Sequence, residues 1–270
     1  MEPHKIGDGA PVVDPLLGRI PLSDSVKARC HRVLPGPAAS FLSWTRDPHA
    51  AVRRRHPALW GTLRRHDGFS PSYAEGRGRA LDRFYIERFL EVSKPLIHGR
   101  ALEVTDTSYT ERFGDEITTM DALDIDADNP AATIVVDLCD PDCLPESAFD
   151  VVIATQTVHI LLDPLTGMRN LYRSLAPGGT LLVTVPCASP SSTALPTDSW
   201  RFLPTGLERL SQDACGEHAI IEVEGYGNKV TAAAFMLGLA WEDLSDGDFA
   251  PNDPQCPLIA AVRITKPPLV

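Results

Sequence analysis

The chain has 270 residues, 43% hydrophobic and 7% aromatic, enough to bury the core of one large domain with an extension. Its formal net charge is −11, but residues 1–100 carry 17 Lys and Arg against 10 Asp and Glu, whereas residues 101–270 carry 8 against 26. Because nucleic acids are bound through cationic neutralisation of phosphates, the acidic part argues against a nucleic-acid substrate. No apolar run approaches the ~18 residues of a membrane span, and no apolar signal segment opens the chain, so we expect a cytoplasmic protein.

The six cysteines are scattered and include no CxxC pair and no His/Cys spacing typical of a metal site. Cys139 and Cys143 lie four residues apart, which leaves a metal ion or a disulfide there as the minor alternative. We therefore expect reduced thiols and no metal centre.

The segment before residue 96 is predicted to be an N-terminal extension with lid helices. Residues 1–50 show no sustained period and read as a leader or a lid-forming arm, and residues 47–65 permit a short basic helix. The arginines of this basic helix are interpreted as a solvent-exposed face or as a surface that pairs with the acidic residues of the same chain. A polar loop at 68–78 precedes Leu81, Phe84, Tyr85, Phe89 and Leu90, whose spacing predicts an amphipathic helix that ends before Pro95.

Strands and helices alternate from residue 96 to residue 270. Several predicted strands are apolar almost throughout, as expected when helices cover both faces of a sheet. The predicted strands are Ala101–Val104, Glu116–Met120, Thr133–Val136, Phe149–Ala154, Thr180–Val185, Ala219–Gly225 and Leu258–Ile264, and the predicted helices are Leu165–Leu175, Pro204–Ala214 and Lys229–Leu244. This pattern predicts an α/β domain, residues 96–270, with a doubly wound, seven-stranded, mostly parallel sheet.

Three stretches carry a family resemblance. The strand at 149–155, the Leu-Ala-Pro-Gly-Gly turn and strand at 175–186, and the spacing from Asp137 through Leu144-Pro145 to Asp150 resemble class I S-adenosylmethionine (SAM)-dependent methyltransferases. Residues 77–87, 109–114, 200–202 and 225–228 resemble a bacterial methyltransferase-like subgroup associated with glycosyltransferases or natural-product pathways. The resemblance implies a Rossmann-like methyltransferase fold with SAM as cofactor.

The resemblance assigns the acids after the first two strands to the cofactor. Glu103 would accept from the methionyl ammonium, directly or through water, and the alternative is a carboxylate that satisfies local amides. The acid that ends the second strand would hold both ribose hydroxyls. Asp121, 18 residues after Glu103, has the expected spacing, and Asp124 is the fallback. Asp137 and Leu138, after the third strand, would meet the adenine.

The loop from Ala101 to Gly114 departs from the family because it has almost no glycine. Thr105, Thr107 and Tyr109 occupy the positions where bare backbone normally approaches the ligand. Either the loop retreats and binds the cofactor through polar groups, with Tyr109 beside the methionyl group, or the Tyr109 ring fills that pocket. We favour the first outcome.

The segment after the fourth strand should carry the chemistry. Gln156 would lie near the methionyl end of the cofactor, and His159 would act as a general base on a substrate hydroxyl, since an unperturbed imidazole titrates near ~6.5. The alternative for His159 is packing within the following turn. Tyr85, Trp200 and Arg201 are candidate substrate contacts; for Trp200 and Arg201 the competing interpretation is packing of the aromatic rings against the next helix.

Together these features predict methyl transfer from SAM to a small acceptor, with a hydroxyl of a sugar or secondary metabolite as the expected target. Two alternatives stay open: an isomerase or cyclase with this fold that does not use SAM chemically, and a non-catalytic partner of a glycosyltransferase. The expected partner is a small molecule, with neither nucleic acid nor membrane, and the sequence leaves a homodimer open.

Overall fold

The computed structural model describes residues 61–268 except 65, 71, 72, 193, 194 and 196. The described residues from Thr62 onward belong to one compact unit that extends to Val270. The predictions for residues 1–60, including the irregular arm and most of the basic helix, lie outside the described residues. Within the described part, no helix combines the length and the apolar character needed to cross a bilayer.

Seven strands form one sheet in the order β3-β2-β1-β4-β5-β7-β6. All pairs are parallel except those of β7, which runs antiparallel to both β5 and β6. The strands are β1 Gly99–Val104, β2 Ile117–Asp124, β3 Ile134–Val135, β4 Phe149–Thr155, β5 Leu175–Pro186, β6 Ile220–Tyr226 and β7 Ile259–Thr265. The predicted seven-stranded, mostly parallel sheet is therefore confirmed.

The described residues form five α-helices, one before β1 and four between strands. They are α1 Asp82–Ser93, α2 Ser108–Phe113, α3 Pro164–Ser174, α4 Pro204–Cys215 and α5 Lys229–Met236. The helix predicted over 229–244 is shorter than expected because Gly238 adopts a left-handed φ of 74° and ends it. Two short 3-10 helices, Trp241–Asp243 and Asp246–Phe249, follow it.

Helices cover both faces of the sheet, and alternate strand residues supply the two cores. On one face Val151 and Ile153 of β4 belong to the apolar cluster that contains Tyr85 and Phe89 of α1 and Phe235 of α5. On the other, Val152 and Ala154 belong to the cluster of α3 and α4, which contains Met168, Leu171 and Leu207. Burial on both faces explains why these strands are apolar throughout. The arrangement is doubly wound, as predicted.

Candidate active site

The candidate site lies at the carboxyl ends of the parallel strands. The sheet order reverses between β1 and β4, because the chain proceeds outward through β2 and β3 on one side and through β5 on the other. In open α/β sheets, ligands bind in the crevice at such a switch point. The loops after β1, β2, β4 and β5 therefore surround the crevice in which a ligand would bind.

Glu103 is buried near the end of β1, with 3% of its surface exposed. Its carboxylate accepts hydrogen bonds from Tyr109 N at 3.1 Å, Thr110 N at 2.7 Å and Thr110 Oγ1 at 2.8 Å. Burial raises the pKa of Glu103, and the bonds from Thr110 oppose that shift. Glu103 thus caps the first turn of α2, which is the alternative that the sequence left open, and its contact with a cofactor stays a prediction.

The glycine-poor loop keeps a backbone conformation that glycine usually adopts. Thr105 has a φ of 80°, although a β-branched residue is strained there. Its N–H donates to Leu123 O at 2.7 Å, and its carbonyl accepts from Asn129 Nδ2 at 2.8 Å. The loop therefore makes its tight turn at Thr105 without a glycine.

The loop amides from 108 to 111 are used inside the loop. Ser108 N donates to Asp106 Oδ1 at 2.8 Å, and Glu111 N donates to Thr107 O at 2.9 Å. The two amides between them donate to the Glu103 carboxylate. These amides are already paired before any ligand arrives.

The Tyr109 ring is held by two helices. It lies 6.1 Å from the Phe113 ring of α2, and its hydroxyl accepts from Arg83 Nη1 of α1 at 3.1 Å. Thr105, Tyr109 and the other predicted cofactor contacts of this loop remain predictions as far as binding is concerned.

The prediction that Asp121 ends the second strand is wrong. Asp121 lies in the middle of β2, opposite Leu102, because the strand continues through buried Ala122 and Leu123. Its carboxylate accepts from Arg100 Nη2 at 3.0 Å and from Thr133 Oγ1 at 2.9 Å. Asp121 is therefore occupied within the sheet, at the level of the middle of β1.

Asp124, the fallback, ends β2 beside the loop that follows β1. Its Oδ1 accepts from Asp126 N at 3.0 Å, and its Oδ2 accepts from Asn129 Nδ2 at 2.6 Å. The same Asn129 amide donates to the Thr105 carbonyl. Asn129 thus joins the ends of β1 and β2 and places the Asp124 carboxylate next to the tight turn.

Asp137 and Leu138 follow β3. Asp137 Oδ1 accepts from Cys139 N at 2.8 Å, and the Leu138 carbonyl accepts from Asn170 Nδ2 at 3.0 Å. Leu138 is buried in the core on the α3 side. Their backbone is fixed by these bonds, and a contact with adenine stays a prediction.

A pocket of about 260 Å³ opens beside the ends of β4 and β5. Its walls come from four parts of the chain: the segment that leads into α1 together with the first turn of α1, the turn after β4, the end of β5 with the loop that follows it, and α5. The lining residues are Tyr73, Ala80, Asp82, Arg83, Gln156, His159, Ile160, Pro186, Ser189, Ser192, Leu195, Asp198 and Phe235.

Three buried polar atoms of this pocket have no hydrogen-bond partner. They are Asp82 Oδ1, Gln156 Nε2 and His159 Nδ1, and the described part of the chain contains only one other such side-chain atom, Arg173 Nε. Leaving a buried polar atom unpaired costs about 1–3 kcal/mol, so their concentration in one pocket requires an explanation. Gln156 is also backbone-strained, with a φ of 50°. A polar molecule bound in the pocket would satisfy these atoms.

His159 faces a fixed carboxylate. Its Nε2 lies 3.7 Å from Asp198 Oδ1, and Asp198 in turn accepts from Arg201 at 2.6 and 3.1 Å and from Ser192 N at 2.7 Å. Burial lowers the pKa of His159 to about 4; Asp198 opposes that shift and Arg201 adds to it. The imidazole is therefore neutral near pH 7, and the carboxylate beside Nε2 favours a hydrogen on that atom and a lone pair on Nδ1.

Three predicted substrate contacts need correction. Tyr85 is fully buried, and its hydroxyl donates to Phe249 O at 3.1 Å, so it belongs to the core. Arg201 is occupied by Asp198 and by the carbonyls of Pro190 and Trp200, and it does not line the pocket. Trp200 also lies outside the lining, where its ring stacks on Phe202 at 6.1 Å; this is the packing alternative.

Two pocket residues, Asp82 and Asp198, were missed as site residues. Asp82 lies three, four and seven residues before Tyr85, Ile86 and Phe89, so an acid continues the buried face of α1. This helical spacing indicates from the sequence alone that Asp82 lies on the buried face of the helix. Asp198 follows a polar, proline-containing loop that carries no periodic pattern, so nothing nearby in the sequence marks it.

A family model described as a methyltransferase domain matches residues 68–214, more than half of the chain and most of the pocket wall. No curated protein matches the chain.

Solved methyltransferase structures are similar to the chain. A SAM-dependent methyltransferase from Archaeoglobus fulgidus is 16% identical, with a TM-score of 0.44, and the match covers 68% of this chain and 94% of that one. A Thermotoga maritima SAM-dependent methyltransferase, described as a possible histamine N-methyltransferase, is 18% identical, with a TM-score of 0.46 and coverages of 69% and 91%. The Haemonchus contortus phosphoethanolamine N-methyltransferase 2 in complex with SAM is 15% identical, with a TM-score of 0.43 and coverages of 67% and 52%. On the strength of the domain match, the chain belongs to the methyltransferase domain family.

Proposed function

We propose that the protein transfers a methyl group from SAM to a hydroxyl of a small molecule bound in the pocket beside β4 and β5. The family match supports SAM as the cofactor. The observation that supports polar ligands in this pocket is the set of three unpartnered buried atoms, Asp82 Oδ1, Gln156 Nε2 and His159 Nδ1, which line one pocket. Such a donor and acceptor set suits a hydroxylated molecule, and the resemblance to the natural-product subgroup favours a sugar or secondary metabolite.

The residues at the carboxyl edge fit the cofactor. The Asp124 carboxylate accepts two hydrogen bonds and has lone pairs left for the two ribose hydroxyls. Asp137 and Leu138 would meet the adenine, Glu103 and the loop from Thr105 to Tyr109 would flank the methionyl part, and Gln156 Nε2 would donate toward it. When bound, the sulfonium supplies an already activated methyl group, so positioning of the acceptor provides much of the acceleration.

His159 would receive the acceptor's proton at Nδ1. The imidazole is neutral before the reaction because burial lowers its pKa to about 4. Asp198, 3.7 Å from Nε2, would stabilise the imidazolium that forms, and Arg201 holds Asp198 in place. Arg201 therefore acts through Asp198 and not through the acceptor.

The segment before β1 would serve as the lid. Tyr73, Ala80 and Arg83 contribute to the pocket wall, and the Tyr73 hydroxyl donates to Pro190 O at 3.0 Å across it. The described part of this segment from residue 62 onward belongs to the same compact unit as the sheet, and the division at residue 95 stays a prediction.

The corrected acid supplies the first test. Isothermal titration with SAM and with S-adenosylhomocysteine should show binding to the parent, and Asp124→Asn should weaken both by about 10- to 100-fold, since two charge-assisted hydrogen bonds are lost. Asp121→Asn is the matched control, because that carboxylate lies inside the sheet, and it should bind like the parent.

Two other results would redirect the proposal. Equal loss in Asp121→Asn and Asp124→Asn would contradict the assignment of the ribose acid. Absence of binding to the parent would favour the cyclase or isomerase alternative, for which the internally paired loop amides are the supporting observation, or the non-catalytic partner of a glycosyltransferase.

A further inference from the structure

A bound methionyl group presents a carboxylate and an ammonium, and the loop after β1 has few partners left for them. Its amides from 108 to 111 donate within the loop or to Glu103. The Glu103 carboxylate already accepts three hydrogen bonds. The amides from 108 to 111 are therefore already occupied, which favours charged partners on another element for an amino-acid group in this crevice.

Asp82 offers an anionic partner. It lies in the first turn of α1 and is 8% exposed, and its Oδ1 lines the pocket without a hydrogen-bond partner. An unpaired buried carboxylate is costly, whereas a cation placed against it recovers that cost. Burial raises the pKa of Asp82, and the neighbouring Arg83 is the largest influence that opposes this shift.

Arg83 offers the cationic partner one residue later. Its side chain lines the same pocket, and Nη1 donates to the hydroxyl of Tyr109 at 3.1 Å. A guanidinium has five N–H donors in a fork that suits a carboxylate, so this neutral contact leaves most of them for a ligand. The bond to Tyr109 also fixes the guanidinium beside the loop that lacks glycine.

We propose that Asp82 and Arg83 form a clamp for a zwitterionic α-amino-acid group, with the Asp82 carboxylate on its ammonium and the Arg83 guanidinium on its carboxylate. The clamp rests on the proposed function and replaces the bare loop amides as the means of holding that group. Two ligands carry such an α-amino-acid group: the cofactor, at its methionyl end, and an acceptor that is itself an amino acid.

The test compares two ligands that differ in this group alone. S-adenosylhomocysteine carries the amino-acid end, whereas 5′-methylthioadenosine keeps the adenosine and the thioether without it. Titration calorimetry on the full chain should show tighter binding of the homocysteine compound. Asp82→Asn and Arg83→Met should each weaken S-adenosylhomocysteine by about 10- to 100-fold and leave 5′-methylthioadenosine within about twofold.

Glu91→Gln and Arg88→Met are the matched controls, because both residues are exposed on the same helix. They should bind both ligands like the parent. Thermal unfolding without ligand gives a second readout: Asp82→Asn removes a buried charge whose Oδ1 has no hydrogen-bond partner, and it should keep or raise Tm while it lowers affinity. A fall in affinity that merely follows a fall in Tm would contradict the clamp.

The remaining outcomes separate the sources. If both variants leave S-adenosylhomocysteine unchanged yet abolish transfer of labelled methyl from SAM to a panel of free amino acids, the clamp serves the acceptor. If neither binding nor that transfer changes, the clamp is overturned. If the parent binds neither adenosine compound, the cofactor assignment itself fails, a result distinct from the loss of the clamp alone.

Discussion

The two ends of the crevice differ in how their polar groups are satisfied. At the β1–β2 end, Glu103 accepts three hydrogen bonds, and Asn129 joins the Thr105 carbonyl to the Asp124 carboxylate. At the β4–β5 end, Asp82, Gln156 and His159 each keep a buried atom unpaired.

This difference separates stability from binding. Paired groups stabilise the protein whether or not a ligand is present, whereas unpaired ones lower stability until a ligand satisfies them. Loss of a paired group such as Glu103 should therefore lower the free energy of unfolding, and substitutions of the unpaired groups should change ligand affinity and pH dependence.

The largest effect is expected at Glu103. Glu103→Ala leaves two amides and a hydroxyl unpaired beneath α2, so the free energy of unfolding should fall by about 3–5 kcal/mol in urea denaturation. Glu111→Ala, an exposed acid on α2 that accepts from the Thr107 hydroxyl, should cost under about 1 kcal/mol. Similar losses in the two variants would show that the β1–β2 end is not held by its buried carboxylate.

The next largest effect is a loss of stability at acidic pH. The pKa of His159 is about 4 in the folded chain because of burial, against about 6.5 when unfolded, so the unfolded state takes up the proton first. The stability contributed by the neutral imidazole is complete above pH 6.5 and is lost as the pH falls toward 4. Between pH 7 and pH 5, the free energy of unfolding should drop by about 2 kcal/mol more in the parent than in His159→Gln.

The control for this pH effect is His98→Gln, since His98 is exposed. It should follow the parent at every pH. If the free energy of unfolding depends on pH in the same way in the parent and in His159→Gln, burial does not lower the pKa of His159.

The smallest effects are expected in the loop after β1, where two glycine substitutions should change the free energy of unfolding in opposite directions. Thr105→Gly should stabilise the chain by about 0.5–1 kcal/mol because glycine tolerates a φ of 80°. Thr107→Gly should destabilise it by a similar amount, because Thr107 has an ordinary φ of −111° and gains nothing from glycine. Thermal unfolding of the two variants measures both, and two changes of the same sign would contradict strain at Thr105.

Apolar runs predicted the bounds of the strands well. The bounds were wrong where a strand contains polar residues. β4 differs from its predicted bounds by one residue at its end and β7 by one residue at each end, since continuous burial on both faces leaves an unbroken apolar signal. β2 was predicted to stop at Met120 because two aspartates follow; their pairing with Arg100 and Asn129 is a tertiary contact that spacing cannot reveal.

The candidate site was predicted in part. Gln156 and His159 line the pocket because the turn after β4 is fixed by the sheet topology. Tyr85 and Arg201 were misplaced because the sequence does not show which polar groups are already satisfied. Asp198 is marked only by its three-dimensional partners, His159 and Arg201.

Helix α1 performs two tasks in successive turns. Tyr85, Ile86 and Phe89 anchor it in the core, while Asp82 and Arg83 face the pocket from its first turn. Because the anchors lie C-terminal to the pocket residues, we expect a library restricted to positions 82 and 83 to change ligand preference while the three core side chains stay in place.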